Sequence, residues 1–244
     1  MIENKRSIDV GYALLLGIFI ASLVSANYLA AKIAVLGTIA PDITLLVPAG
    51  VVAYAVTFTT TDIISEVYGK KAASTAVMIG LFIQFLIMFY SLIALLMPTA
   101  PFQENYNVFF NKIYGVTPNI ALASVLAYLA SQNHDVWAFH FWKRLTRGKW
   151  LWLRNNASTI VSQLIDTTIF ITLAFGVFPI FLGGVSIPLN LIPFTILGQY
   201  IVKVIIALFD TPFVYAGVYL LKRLGLHDIS LSEVIPSAGT IQTK

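Results

Sequence analysis

Two ionisable residues, Asp166 and Lys203, each lie inside a long run of apolar residues. A charge at the centre of a bilayer costs about 2.5–3.5 kcal/mol on insertion scales, so such residues usually face the interior of a helix bundle and are paired. We therefore expect Lys203 to form an ion pair with Asp166, Asp62 or Asp210. A carboxylate and an ammonium group held together at membrane depth can bind a polar solute through hydrogen bonds.

Amide side chains accompany both of these charges. Gln163 lies three residues before Asp166, and Gln199 lies four residues before Lys203. Because residues three or four apart share one face of a helix, each amide should lie beside its charge. An amide offers both a donor and an acceptor, which suits recognition of a heterocyclic edge.

The first half of the chain contributes Asn27, Asp62, Glu66 and Gln84 as candidates. Asp62 and Glu66 are four residues apart and share a helical face, although Glu66 is also placed to form an ion pair with Lys70. Asn27 and Gln84 are amides inside apolar runs. Such amides serve either ligand binding or hydrogen bonding between helices, and the sequence leaves both roles open.

The fourth apolar run combines an amide with aromatic rings. Asn133, Trp137 and His140 recur at spacings of four and three residues and should share one helical face. An amide, an indole and an imidazole in line suit a flat heterocycle that needs stacking and hydrogen bonds at its edge. The complete set of candidate substrate-binding residues is Asn27, Asp62, Glu66, Gln84, Asn133, His134, Asp135, Trp137, Gln163, Asp166, Gln199 and Lys203.

An intramembrane enzyme is the alternative for the same region. His134, Asp135 and His140, together with Asp166, could act as catalytic groups or metal ligands. Two histidines six residues apart do not form an established helical zinc motif, so we expect no metal and no catalytic residue. A scaffold that binds lipid or other membrane proteins would not need several ionisable residues in its interior.

Composition favours a membrane protein over a soluble one. Of the 244 residues, 58% are apolar and 11% are charged, whereas a soluble domain carries about 25% charged residues. The basic residues lie in loops rather than on one folded face, so we expect no nucleic-acid partner. Cysteine is absent, which excludes disulfides and thiolate sites. The expected partners are a small-molecule substrate and the lipid bilayer, and a homodimer is left open.

The elements that position these residues are predicted to be six transmembrane helices in an all-α fold. Their expected ranges are 10–36, 44–67, 71–97, 118–143, 157–182 and 193–222. One set of helix ends carries 12 of the 15 basic residues, which places both termini in the cytoplasm by the positive-inside rule. Residues 1–226 should form the transmembrane domain and 227–244 a polar tail. Segment 98–117 is read as either an interfacial helix or a loop.

A repeat of three helices plus three helices is compatible with the positions of the polar residues. Residues 25–28 (SANY) in the first run and 131–134 (SQNH) in the fourth lie at similar depths. Each run is followed by one that contains an aspartate, Asp62 or Asp166. Repeats of this kind are common in transporters, where the binding site lies at the interface of the repeats.

Four segments together resemble the queuosine precursor transporter family, also called the vitamin uptake transporter family. They are ANYLAAK (26–32), TDIISEVYGKKAA (61–73), SQNHDVWAFHFWKR (131–144) and LWLRNNASTIVSQLIDTTIF (151–170). The positions that match the family's motifs are Asp62, Glu66, Tyr68, Arg154, Asn155, Ser158, Thr159, Gln163 and Asp166. The fourth helix reads Gln-Asn-His-Asp at a place where the family is expected to carry a similar polar cluster.

The resemblance implies import of a queuosine or archaeosine precursor, 7-cyano-7-deazaguanine or its aminomethyl relative, across the cytoplasmic membrane. Carboxylates such as Asp166 or Asp62 would accept from the base, amides such as Gln163 or Asn133 would serve its carbonyl, and Trp137 or a tyrosine would stack on it. The sequence contains no P-loop. Transport would therefore be secondary or facilitated, or the chain would be the substrate-binding component for a separate ATPase. No cofactor is expected.

Overall fold

The computed structural model describes residues 10–40, 43–145 and 151–224, and within the helices it leaves some side chains undescribed. Helices account for most of this part of the chain. They are α1 (Val10–Leu29), α2 (Val51–Leu96), α3 (Glu104–Tyr114), α4 (Thr117–Leu145), α5 (Leu151–Ile171), α6 (Phe178–Leu182) and α7 (Ile192–Arg223). Two strands, β1 (Ile33–Ala40) and β2 (Ile43–Pro48), lie between α1 and α2. The predicted polar tail 227–244 lies outside the described residues.

Within the described residues, five helical segments are long and apolar enough to cross a membrane. They are Val10–Leu29, Lys71–Leu96, Pro101–Ser131, Ile160–Leu182 and Leu189–Ala207. The long helices pack on one another, with α1 against α2, α4 against α5, and α2 against both α4 and α7. The prediction of a polytopic helical membrane protein is therefore confirmed in its coarse form, while the count of six helices, their orientation and the internal repeat stay predictions.

The second and third predicted helices form one continuous element with a break at Gly69. This glycine has φ 84° and ψ 169°, which lie outside the helical region, inside the 46-residue helix α2. An L-residue with a side chain rarely adopts such a positive φ, so glycine permits the change of direction. The kink separates residues 51–68 from residues 70–96, close to the boundary that the sequence predicted between 67 and 71.

Residues 33–36 and 44–48 were predicted to be helical, and the structure shows that this is wrong. They belong to an antiparallel hairpin in which Ile33 pairs with Pro48 and Ala40 pairs with Ile43. The paired backbone groups satisfy one another, and β2 packs on α7. The premise that an apolar run must be helical fails here, because strand pairing satisfies the backbone groups instead. β2 is largely buried, whereas Val35, Leu36 and Ile39 of β1 are exposed. The fold is therefore mostly helical rather than strictly all-α.

Segment 98–117 contains a short helix rather than only a loop. A 3-10 turn at Pro101–Gln103 leads into α3, whose aromatic side chains are largely exposed. Amphipathic helices of this kind lie at the surface of a membrane. Its position at the headgroups stays a prediction.

A π-helical stretch, Thr172–Val177, continues α5 and is followed by α6. The wider turn places Phe175 in the core, and the Phe175 carbonyl accepts a hydrogen bond from the backbone N–H of Ile187 at 3.0 Å. Ile171, Phe175 and Ile187 pack with Val116 and Ile120 of the adjoining region in one apolar cluster. This cluster fixes α4 and α5 side by side at the end of the bundle next to the hairpin.

Candidate functional site

A cavity lies between the long helices and beneath the hairpin, and we call it the central cavity. It contains about 50 Å³ of space that water-sized groups can enter, which is less than the roughly 300–1,000 Å³ of typical small-molecule sites. Its wall includes residues from α1, α2, α4, α5 and α7, and Pro48 and Gly50 at the base of the hairpin. The lining residues that matter most below are Asn27, Tyr54, Gln84, Ser124, Asp166, Phe170, Gln199 and Lys203.

An ion pair forms part of this wall. Nζ of Lys203 on α7 lies 2.5 Å from Oδ2 of Asp166 on α5. The Lys203 side chain is 3% exposed and that of Asp166 is 16% exposed. The prediction that Lys203 pairs with a carboxylate is confirmed, and among the three candidates the partner is Asp166. Pairing offsets part of the penalty for holding each charge away from water.

Aromatic rings flank the ion pair. The Nζ atom of Lys203 lies 5.4 Å from the centroid of the Tyr54 ring, within the range of a cation–π contact. Phe170, one helical turn after Asp166 on α5, lines the same cavity. The cavity therefore offers flat apolar faces next to charged hydrogen-bonding groups, which is the combination that a planar heterocycle requires.

Amide groups complete the wall. Asn27, Gln84 and Gln199 are 3%, 5% and 6% exposed, respectively. Their side-chain oxygens have no hydrogen-bond partner among the residues that the structure describes. A desolvated acceptor without a partner costs about 1–3 kcal/mol, so each of these oxygens has a strong preference for a donor. A bound molecule rich in N–H groups would supply such donors.

A second cavity, which we call the adjacent cavity, lies next to the central cavity along α2 and α4. It contains about 300 Å³ of space that water-sized groups can enter, at the lower end of the range of small-molecule sites, and it shares Tyr54, Gln84 and Asp166 with the central cavity. Gln163 lines it, one helical turn from Asp166, and its Oε1 also lacks a partner within the described part of the chain. Thus the ion pair and these shared residues lie where the two cavities meet.

Asp62 and Glu66 lie away from both cavities, contrary to their prediction as members of one shared site. They are exposed and line a separate groove between α2 and α7, together with Lys222 and Tyr219. The helical spacing correctly placed both carboxylates on one face. That face turns away from the cavities because Thr57 and Thr61 occupy the face of α2 that lines the adjacent cavity. The proposed ion pair of Glu66 with Lys70 involves a side chain outside the described set.

The polar cluster of the fourth helix is described only in part. His134 Nδ1 lies 3.1 Å from the Ser162 hydroxyl oxygen, which links α4 to α5 near the adjacent cavity. The side chains of Asn133, Asp135, Trp137 and His140 lie outside the described set. Within the described residues, no group of three or more potential ligands is close enough to hold a metal ion.

Among the lining residues singled out above, sequence reasoning missed three: Tyr54, Ser124 and Phe170. Two of them carried usable signals. Tyr54 lies three residues before Thr57 and seven before Thr61, so it continues the polar face of α2. Ser124 lies seven residues before Ser131 on α4 and marks a similar face, whereas Phe170 resembles any other apolar residue of α5.

The chain was compared with known proteins. Residues 48–217 match the family model described as "Putative vitamin uptake transporter". The chain belongs to this family. It is also 32% identical over 170 residues to a protein of Bacillus subtilis (strain 168) described as "Probable queuosine precursor transporter", an alignment that covers 69% of this chain and 70% of the relative. No solved structure matches the chain.

As a member of the vitamin uptake transporter family, the chain is a multi-pass membrane transporter. The matched region includes most of the central cavity, with Tyr54, Gln84, Asp166 and Lys203 inside it. Asn27 and nearly all of the hairpin precede it. The family resemblance that the sequence motifs suggested is therefore confirmed.

Proposed function

We propose that this transporter imports a queuosine precursor, a 7-deazaguanine base, across the cytoplasmic membrane, with both termini on the cytoplasmic side. The observation that carries the proposal is the junction of the central and adjacent cavities, which combines a buried ion pair, aromatic faces and amide oxygens that have no hydrogen-bond partner among the described residues. The name of the Bacillus subtilis relative supports the same class of substrate.

The chemistry of the base matches the groups in the cavity. A guanine-type edge presents an exocyclic amine and a ring N–H as donors, and next to them a carbonyl as acceptor. The Asp166 carboxylate can accept from the donors, and the oxygens of Gln84, Asn27 or Gln199 can accept from the other N–H groups of the bicyclic ring. Tyr54 or Phe170 can stack on its face.

Uptake by purified protein in proteoliposomes tests the proposal. We expect labelled 7-cyano-7-deazaguanine to accumulate in vesicles that contain the wild-type protein and to do so poorly in vesicles that contain Asp166→Asn. Repeating the assay with and without a proton gradient tests proton coupling. Uptake that stops when the concentrations inside and outside are equal, with or without the gradient, indicates facilitated diffusion. Equal uptake by wild type and Asp166→Asn would remove the central residue of the proposed site.

A substrate that binds but does not cross would point to the second reading, a binding component that works with a separate ATPase. Binding in detergent and uptake in vesicles are therefore measured on the same preparation. Binding without uptake rejects independent transport by this chain. Neither binding nor uptake rejects the substrate class.

A further inference from the structure

Lys203 has hydrogen-bonding capacity that its ion pair does not use. An ammonium group carries three N–H donors, and one of them is directed to Oδ2 of Asp166 at 2.5 Å. No second acceptor for this group occurs within the described ranges 10–40, 43–145 and 151–224. Because Lys203 lines the central cavity, the remaining donors are available to a molecule bound there.

The surroundings hold the ammonium group in place. Lys203 is 4% exposed, and its Nζ lies 5.4 Å from the centroid of the Tyr54 ring. An ammonium fixed by a carboxylate on one side and an aromatic face on another has little freedom to turn away. Its free donors are therefore preorganised, which makes a hydrogen bond to a ligand more discriminating than one from a mobile surface lysine.

Side by side, Asp166 and Lys203 present acceptors followed by a donor. The edge of a guanine-type base presents donors followed by an acceptor, in the order exocyclic amine, ring N–H and carbonyl. An adenine-type base places a ring nitrogen acceptor and an amine at the corresponding positions, so its amine would face the ammonium group. A site built to hydrogen-bond one such edge strongly rejects a base with another pattern.

We propose that Lys203 is a specificity-determining residue that donates a hydrogen bond to the exocyclic carbonyl oxygen of the base, while Asp166 accepts from the neighbouring N–H groups. This inference rests on the proposed function, because it assumes that a 7-deazaguanine binds where the central and adjacent cavities meet, beside the ion pair. It assigns the selection of 6-oxo bases over 6-amino bases to the ion pair itself.

A change of one ligand atom tests the assignment. In the 6-thio analogue of 7-cyano-7-deazaguanine, sulfur replaces the carbonyl oxygen, so the acceptor is weak while the ring N–H and the amine remain. We expect the wild-type protein in detergent to bind the thio analogue about ten- to a hundred-fold more weakly than the oxo base, the usual effect of losing a hydrogen bond to a charged group. In Lys203→Met the two ligands should bind within about two-fold of each other.

A matched control is Lys222→Met, the same substitution at an exposed position of the same helix, which should keep the ten- to hundred-fold difference. The double variant Lys203→Met with Asp166→Asn removes both charges of the pair, and it provides a second folded background in which the difference should also disappear. A purely structural role for Lys203 would lower both affinities and leave their ratio unchanged.

The possible failures are distinguishable. If wild type binds neither ligand, the proposed function is wrong. If wild type binds the oxo base and the thio penalty persists in both Lys203 variants, the role given to Lys203 is wrong while the proposed function stands.

Discussion

Removing the ammonium group of Lys203 while keeping Asp166 should destabilise this protein far more than removing both charges together. The substitution Lys203→Met keeps the length of the aliphatic chain and deletes the charge. It leaves the Asp166 carboxylate, which is 16% exposed, without its partner at 2.5 Å. The double variant with Asp166→Asn leaves no charge at this place.

The expected magnitude follows from the burial of the pair. With side-chain exposures of 3% and 16%, solvent screens the interaction only weakly. Removing one member of a buried ion pair costs about 3–5 kcal/mol, whereas replacing both members with neutral side chains of similar size is often close to neutral. For a protein of this size, 1 kcal/mol corresponds to about 2–4 °C in melting temperature, so we expect Lys203→Met to melt about 6–20 °C below wild type.

The assay is thermal unfolding in detergent, followed by the fluorescence of the four tryptophans. Wild type, Lys203→Met, Asp166→Asn and the double variant form a cycle that isolates the interaction between the two residues. Lys222→Met serves as the control, because this exposed lysine lies on the same helix and its replacement should change the stability by less than about 0.5 kcal/mol.

Additive losses would refute the reasoning. If the double variant melts as far below wild type as the sum of the two single variants, the two side chains are not coupled in the folded protein. If Lys203→Met has the same melting temperature as the Lys222→Met control, the ammonium group is solvated rather than buried.

Three further predictions concern the walls of the cavity and its surroundings. Gly198→Ala places a Cβ atom near the carbonyl oxygen of Leu46, so it should displace the hairpin from α7 and lower uptake in proteoliposomes. The control is Gly17→Ala, which should leave uptake unchanged because a Cβ there has no neighbour within 4 Å. Gln84→Leu removes a buried amide whose oxygen lacks a partner among the described residues. It should raise the melting temperature of the ligand-free protein and weaken binding of the base. A lower melting temperature with unchanged or tighter binding would mean that the amide is a structural group. Asp62→Asn should bind the base within about two-fold of wild type by equilibrium binding in detergent, because Asp62 lies in the separate groove, and a ten-fold loss would place it in the site.

The sequence predicted the helical framework well where the signal was length and apolar character. The predicted range 193–222 agrees with α7 at Ile192–Arg223, and 118–143 agrees with α4 at Thr117–Leu145. Bilayer thickness and backbone hydrogen bonding restrict such runs strongly. The sequence also predicted a boundary near Gly69, because Lys70 and Lys71 interrupt the apolar run.

The hairpin was not predictable by the same rule. A short apolar run does not distinguish a buried strand from a buried helix by periodicity. Its β-branched residues Ile33, Val35, Thr38 and Ile39 were a local signal for strands. What the sequence does not reveal is the surface against which β2 packs, namely α7 at Gly198, where the absent side chain lets the backbone of Leu46 approach.

The candidate site was predicted by using residue spacing to decide which side chains share a helical face. The misplacement of Asp62 arises from the same method. Spacing alone placed Gln199 beside Lys203, and the structure brings both into one cavity with Asp166. The same spacing placed Asp62 beside Glu66, but a face defined from one helix does not reveal which neighbour it meets. The separation of Asp62 from Asp166 depends on how α2 is rotated within the bundle, which is a property of tertiary packing.

The structure also helps to separate the two roles that the sequence left open for Asn27. An amide that holds helices together bonds to a neighbouring element, as Asn119 does when its Nδ2 donates to the Gly183 carbonyl at 2.7 Å. Asn27 instead donates from Nδ2 to Leu23 of its own helix at 2.8 Å. Its oxygen is left without a partner in the described part of the chain, in the wall of the central cavity. An amide that ties no two helices together, yet remains desolvated, gains its missing hydrogen bond only when a donor enters the cavity, which favours ligand binding over packing as the reason for its presence.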